Sequence, residues 1–221
     1  MSGIRQAMAV GIVMVVMSRW RQSSQTTRCI MIVIASLFHT SALIAFVFVI
    51  ASWRISIIFR ILALIAFVAG GALLSTSLIF YSDNIAFYQD AYITSEQSIV
   101  SPGALIHVAL IWIPAFAFVI FRRRMSGYVT DPRLLHMGAW FTLLLVIIYF
   151  LSSTVASRLT LYLYFVPMLF YPAFVDSYAP SKRAGITFFI VVGHFAILAI
   201  WLFFANNANA HIPYRNLLFE Y

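Results

Sequence analysis

The chain has 221 residues, of which 63% are hydrophobic and only 9% are charged, and its formal net charge is +8. Soluble domains are about half apolar and about one-quarter charged, so this composition excludes an ordinary soluble protein and indicates an integral membrane protein. A positive charge suggests nucleic acid in a soluble chain, but here the arginines stand in short loops between apolar runs, where they set orientation in the membrane.

The first apolar run, residues 7–17, is shorter than the roughly 20 residues that cross a bilayer. It has the length of a signal-peptide core, but the charged stretch SRWR follows it where small residues would mark a cleavage site. More basic residues follow this run than precede it, so the N-terminus is expected to face outside. We interpret the run as a short membrane stub or as half of a span.

The second apolar segment, residues 29–53, leaves two alternatives open. If it crosses the membrane, nine of the 14 basic residues lie inside and five lie outside. If it enters, turns near FHTSA (residues 38–42) and returns to the same side, eleven lie inside and three lie outside. Positive charge accumulates on the cytoplasmic side, so the re-entrant alternative fits the charge distribution better. Even so, 25 apolar residues are an ordinary length for a span.

The remaining apolar segments are typical of membrane spans. They cover residues 61–81, 103–121, 134–152, 159–175 and 184–205, the fourth being slightly short. No loop between them is long enough for a soluble domain, and the single cysteine, Cys29, excludes an intrachain disulfide. We predict an all-α fold, a polytopic transmembrane helical bundle with about five to seven membrane segments. It forms a single integral membrane domain over residues 1–221, with residues 29–53 as its candidate re-entrant segment.

Arg158 departs from the charge rule, because it lies outside in either topology. It stands four residues before Tyr162, a spacing that predicts one shared helical face at the outer membrane surface. An arginine there can bind a phosphate through two hydrogen bonds. It can equally anchor the helix at the lipid headgroups beside a belt of tyrosines.

Two histidines are candidates for proton transfer. His39 lies inside an apolar segment, where an ionisable group indicates function unless it is simply hydrogen-bonded to the backbone. His211 follows the last span and is either a general base near neutral pH or a solvated surface residue. Carboxylates in the loop 82–102 are a further source of a base. The spacing of His, Cys and acidic residues predicts no metal site, and no nucleotide-binding fingerprint predicts a cofactor.

Three stretches carry a resemblance to a known family. They are IRQAMA (residues 4–9), ASLFHTSALI (residues 35–44) and SRLTLYLYFVPMLF (residues 157–170), and the tail IPYRNLLF (residues 212–219) fits with them. In order and spacing they resemble the EpsG-type family of bacterial exopolysaccharide and O-antigen polymerases, the Wzy-like proteins. The matching positions are Arg5, Gln6, Phe38, His39, Ser41, Arg158, Tyr162 and Tyr164.

The resemblance implies a membrane glycosyltransferase, a polysaccharide polymerase in the bacterial cytoplasmic (inner) membrane. Such enzymes join oligosaccharide repeat units carried on undecaprenyl pyrophosphate at the outer face of that membrane. Partners are then this lipid-linked oligosaccharide, membrane lipid and other polysaccharide-assembly proteins, with no nucleic acid. His211 and His39 become candidates for the catalytic base. The residues implied in substrate binding are Arg5, Gln6, Arg158, Tyr162, Tyr164 and Arg215.

The resemblance departs from the family in length. It covers nearly all of this chain but only about the C-terminal half of the usual family architecture, so a fragment that is inactive by itself is one expectation. Two other functions remain open. An O-antigen ligase or another lipid-linked glycosyltransferase would also use outer arginines, and a non-enzymatic flippase or transport component would need polar residues lining a path through several spans.

Overall fold

The computed structural model describes residues 2–53, 56–67, 104–151 and 153–204. Within these ranges the chain forms helices and no strand, which confirms the all-α prediction. Two short 3-10 helices, Thr40–Ala45 and Leu161–Leu163, interrupt the α-helices. The α-helices are α1 (Ser2–Ser18), α2 (Gln25–Phe38), α3 (Phe46–Ser52), α4 (Ile57–Phe67), α5 (Ala104–Met125), α6 (Pro132–Leu151), α7 (Ser153–Thr160), α8 (Phe165–Asp176) and α9 (Pro180–Phe204).

Three helices in the described ranges are long and apolar enough to cross a membrane, namely α5, α6 and α9. A fourth span is formed if the bent pair Val155–Leu163 and Phe165–Asp176, which meet at 47°, counts as one crossing. The predicted span over residues 159–175 corresponds to this bent pair, and the chain is broken in its middle. The predicted span over residues 61–81 lies mostly outside the described residues.

The structure divides into two units, one within Met1–Ala173 and the other within Phe174–Tyr221. In the second unit a turn leads into α9, which begins at Pro180. The missing N–H of a proline costs nothing in the first turn of a helix, where backbone donors have no partner in the helix. Arg183 pairs with Asp176 at 3.2 Å and donates to the carbonyl of Tyr178, so the turn before α9 is held by one partly exposed arginine.

In the first unit, α1 and α2 form an antiparallel helical pair joined by a tight turn. The Ser24 side chain ends the turn, because its Oγ accepts from the backbone N–H of Thr27 and caps α2. α1 is longer than the apolar run that predicted it and buries Ala9, Val13 and Met17. Since the two helices pack side by side, the beginning of α1 lies beside the end of α2.

Residues 25–52 double back on themselves, and we call them the hairpin. The side-chain amide of Gln25 donates to Ser52 Oγ at 3.3 Å, although the two residues are 27 positions apart. One straight helix of that length would separate them by about 40 Å. The chain therefore turns and returns to its starting level, as the re-entrant alternative requires. The tip of the hairpin is the 3-10 helix Thr40–Ala45, about 20 Å from the open end along α2.

The returning arm of the hairpin is fixed by aromatic packing. Phe48 of α3 is 2% exposed and contacts the rings of Phe141 and Phe165, with centroid distances of 5.5 and 5.1 Å. α6 comes close to the same place, because a Cβ on Gly138 would lie 2.7 Å from Val166 Cγ2. Only glycine allows this approach without displacing neighbours, so α3 and residues 165–166 are held against α6.

The loops at the open end of the hairpin lie on one side of the protein. Arg21, in the turn before α2, donates to the carbonyl of Thr130 at 3.0 Å, in the loop between α5 and α6. Single cysteines introduced at Gln22, Ser56 and Ser126, in a Cys29→Ser background, should therefore be accessible to a thiol reagent from the same side of the membrane. From the distribution of arginines we expect all three to be shielded from an impermeant thiol reagent in intact cells and labelled after permeabilisation.

A cysteine at Ser95 is the matched control for labelling from outside, because the loop 82–102 is expected on the outer face. Labelling of Gln22→Cys in intact cells, with Ser56→Cys still shielded, would contradict the re-entrant topology and restore a simple crossing of residues 29–53. Comparable amounts of each variant in the membrane fraction make the labelling ratios interpretable.

Candidate functional site

His39 ends α2 and begins the tip of the hairpin. Its backbone is extended, with φ −155° and ψ 119°, so the helix cannot continue through it. The ring Nδ1 accepts the backbone N–H of Ser41 at 3.3 Å and lies 2.6 Å from Ser41 Oγ. The imidazole thus takes the place of a capping side chain for the 3-10 helix. The alternative that His39 is simply hydrogen-bonded to a backbone carbonyl does not describe these contacts, because Nδ1 is engaged by the N–H and the hydroxyl of Ser41.

Ser41 connects the hairpin to a distant part of the sequence. Its Oγ lies 2.7 Å from the phenolic oxygen of Tyr162, in the 3-10 helix Leu161–Leu163. The two 3-10 helices contact each other, and α1 contacts both of them. A continuous hydrogen-bonded chain therefore runs from Tyr162 through Ser41 to His39, and we call it the relay.

The direction of hydrogen bonding in the relay follows from the donors available. A ring nitrogen that accepts a backbone N–H carries no proton, so Nδ1 of His39 is unprotonated. Ser41 then donates its one hydroxyl proton to Nδ1, and Tyr162 donates its own to Ser41 Oγ. The neutral imidazole carries its proton on Nε2, and this N–H is the group that His39 can offer to a ligand.

The charge of Arg158 reaches this histidine. The residue is exposed near the end of α7, just before the 3-10 helix that carries Tyr162, and its charge acts on the His39 imidazole. The arrangement therefore offers one fixed cation and one neutral N–H donor at the hairpin tip, a combination suited to binding an anion.

Arg5 and Gln6 belong to the same end of this unit. They lie in the first turns of α1, the part of α1 that is beside the end of α2, and α1 contacts both 3-10 helices. Arg5 is exposed, whereas Gln6 is half-buried and its Nε2 is buried without a hydrogen-bond partner in the described part of the chain. A buried amide donor left unsatisfied is uncommon, and a bound polar ligand would satisfy it.

Of the two candidate tyrosines, Tyr162 differs from the expectation. Tyr162 and Arg158 do not share a helical face, because α7 ends at Thr160 and the chain tightens into a 3-10 turn between them. Tyr162 is only 1% exposed, so its ring cannot stack on a sugar in this conformation, and its hydroxyl is engaged by Ser41. Tyr164 is half-buried beside it. His211 and Arg215 lie outside the described residues.

Ser41 is the site residue that the sequence analysis left without a role. It stands in the motif FHTSA, but a serine two residues after a histidine has no special meaning in sequence. Its importance comes from a partner 121 residues away, which only the fold reveals. In the described ranges no group of three His, Cys, Asp or Glu side chains is placed to hold a metal ion.

Comparison with known proteins agrees with the three family-like stretches of the sequence. The family model described as the EpsG family matches residues 1–216, nearly the whole chain. The chain belongs to the EpsG family. Membership in EpsG, together with the apolar helices, supports a membrane protein of polysaccharide biosynthesis with a polymerase-type function. No curated protein and no solved structure matches the chain.

Proposed function

We propose that this chain is a polymerase of bacterial cell-surface polysaccharide, which joins oligosaccharide repeat units linked to undecaprenyl pyrophosphate. The reaction takes place at the outer face of the cytoplasmic membrane. Membership in the EpsG family supports the general activity. The lipid-linked substrate and the outer face are inferred from the donors at the hairpin tip and from the charge distribution.

The observation that carries the proposal is the relay. It joins His39 of the second family-like stretch to Tyr162 of the third, and α1 brings the first stretch to the same end. Residues that are far apart in sequence thus surround one place, and the side chains there that can meet a ligand are donors. A diphosphate, with its several anionic oxygens, is the part of the substrate that such a group would bind.

The proposed reaction is the transfer of a glycosyl unit. A hydroxyl oxygen of the acceptor sugar attacks the anomeric carbon of the donor chain, and the bond from that carbon to the diphosphate oxygen breaks. The electron pair of the broken bond stays with undecaprenyl diphosphate. Arg158 and the Nε2–H of His39 stabilise the negative charge that develops on this leaving group, because they are already in place before it forms.

The hydroxyl proton of the acceptor needs a base. His39 was one candidate, but its Nδ1 is occupied by Ser41 and its Nε2 carries a proton, so the geometry argues against it. The remaining candidates are His211 and a carboxylate of the loop 82–102. A base of this kind accelerates such transfers most when its pKa is near the working pH, which favours the histidine.

Purified protein in liposomes that contain lipid-linked repeat units distinguishes the candidate functions. A polymerase should convert single repeats into a ladder of longer chains that remain on the lipid, and Arg158→Ala should do so far more slowly. A ligase would transfer chains only after a second acceptor is added, and a flippase would move repeats without lengthening them. Repeats that keep their length, with protein of verified folding, would contradict the proposal. Electrophoresis of labelled products provides the measurement.

A further inference from the structure

A second polar region lies at the open end of the hairpin, away from the relay. An open cavity of about 1380 Å³ is lined there by the turn before α2, the end of α3, the start of α4 and the loop between α5 and α6. We call it the basic cavity. Arg28 on its wall and His39 at the tip are separated by about 16 Å along α2, so the basic cavity is distinct from the candidate site.

The wall of the basic cavity is strongly cationic. Among its described lining residues, four arginines stand against a single carboxylate, that of Asp131; the arginines are Arg21, Arg28, Arg60 and Arg133. The carboxylate is partly used by the protein, because Asp131 Oδ1 accepts the backbone N–H of Leu134 and caps α6. One carboxylate cannot neutralise four guanidinium groups, so the cavity has an excess of positive charge that an anion would balance.

Arg28 indicates what the basic cavity lacks. The residue is only 9% exposed, and its guanidinium lies over the ring of Trp20 at 4.1 Å from the centroid. One Nη donates to the carbonyl of Trp20 and the other to Gln25 Oε1, but the Nε is buried with no hydrogen-bond partner in the described residues. A buried cationic group with an unsatisfied donor is costly, and an anion in the cavity beside the Arg28 guanidinium would offset that cost through its charge.

We propose that the basic cavity binds a phosphate group. Guanidinium groups match phosphate oxygens in geometry and bind them through paired hydrogen bonds, which makes arginine the usual side chain of phosphate sites. The positive-inside distribution places this end at the cytoplasmic surface, where basic pockets between helices bind anionic lipid headgroups. The same chemistry would accept a soluble phosphate, and the experiment separates these two sources. This proposal does not depend on the polymerase function.

The test measures the melting temperature of the purified full chain through tryptophan fluorescence. Short-chain phosphatidylglycerol, phosphatidylcholine of equal chain length and inorganic phosphate are titrated separately. A rise with phosphatidylglycerol that phosphatidylcholine does not reproduce supports the site with a lipid as its source. An equal, saturable rise with inorganic phosphate, to which phosphatidylglycerol adds nothing, supports the site with a soluble source.

Two charge-matched variants locate the effect. Arg133→Gln removes an exposed arginine of the basic cavity, and Arg123→Gln removes an exposed arginine of α5 that does not line it. Neither is buried, so both should fold. We expect Arg133→Gln to weaken the apparent affinity for the phosphate ligand on the order of fivefold and Arg123→Gln to leave it unchanged. Equal weakening by both variants, or equal stabilisation by phosphatidylcholine, would overturn the proposal.

Discussion

Replacing Arg158 with alanine is expected to lower the rate of polymer synthesis by roughly 30- to 1,000-fold. A charge-assisted contact to a developing anion, lost from a preorganised site, raises the barrier by about 2–4 kcal/mol. Arg158→Lys should have a smaller defect, because lysine keeps the charge but loses the planar pair of donors. The measurement is polymer chain length and yield at matched amounts of membrane protein.

The competing explanation of Arg158 makes a different prediction. If the side chain only anchors the helix at the headgroups, lysine should replace it fully, and alanine should mainly reduce the amount of protein in the membrane. Arg123→Ala serves as the control for the removal of an exposed arginine at a distance from the hairpin tip. Normal polymer from Arg158→Ala at matched expression would leave Arg158 as an anchor and end its assignment to the diphosphate.

Asparagine and glutamine at position 39 should differ strongly in activity. Asparagine keeps an acceptor near Nδ1, so it can still take the N–H of Ser41, but it has no group where Nε2 was. Glutamine places an amide N–H near the position of Nε2. We expect His39→Asn to lose about 100- to 1,000-fold in rate, the usual loss when one donor to an oxyanion is removed, and His39→Gln to keep much of its activity.

This pair separates the two roles of histidine. Neither amide can accept a proton at neutral pH, so a catalytic base at position 39 would be lost equally in both variants. Equal inactivity of His39→Asn and His39→Gln, in preparations that elute as folded protein, would return His39 to the position of general base. Ser41→Ala is a useful companion, because it removes the hydroxyl contacts of the relay and leaves the backbone N–H on Nδ1.

The turning of residues 25–52 could be foreseen because membrane orientation depends on charge. The sum of basic residues on each side is a property of the whole chain, and it favoured a return over a crossing before any contact was known. The positions of the spans α5, α6 and α9 were foreseen for the same kind of reason, since about 20 apolar residues are needed whatever they pack against. The side-chain contacts of the hairpin, by contrast, are made with residues distant in sequence, and no local pattern predicts them.

The break in the fourth predicted span, residues 159–175, had a local sequence signal, a proline, which the search for long apolar runs did not take into account. Pro167 has no N–H to donate to the carbonyl four residues earlier, so a helix running through residues 163–167 would lose one hydrogen bond and bend there. The structure places Pro167 in the first turn of α8, where that missing donor is harmless. The pairing of Tyr162 with Ser41 had no such signal, because the two residues lie in separate apolar segments and meet only through tertiary packing.

The distance in sequence across the relay sets an order of events during synthesis. Ser41 emerges from the ribosome 121 residues before Tyr162. At a synthesis rate of about 5–20 residues per second, the hydrogen bond between Ser41 and Tyr162 can form only on the order of ten seconds after Ser41 has been synthesised. Until then the serine hydroxyl lacks the tyrosine that completes the relay. The site can therefore be completed only after the later helices have been synthesised. A nascent chain stalled before residue 162 should form the hairpin without an assembled site.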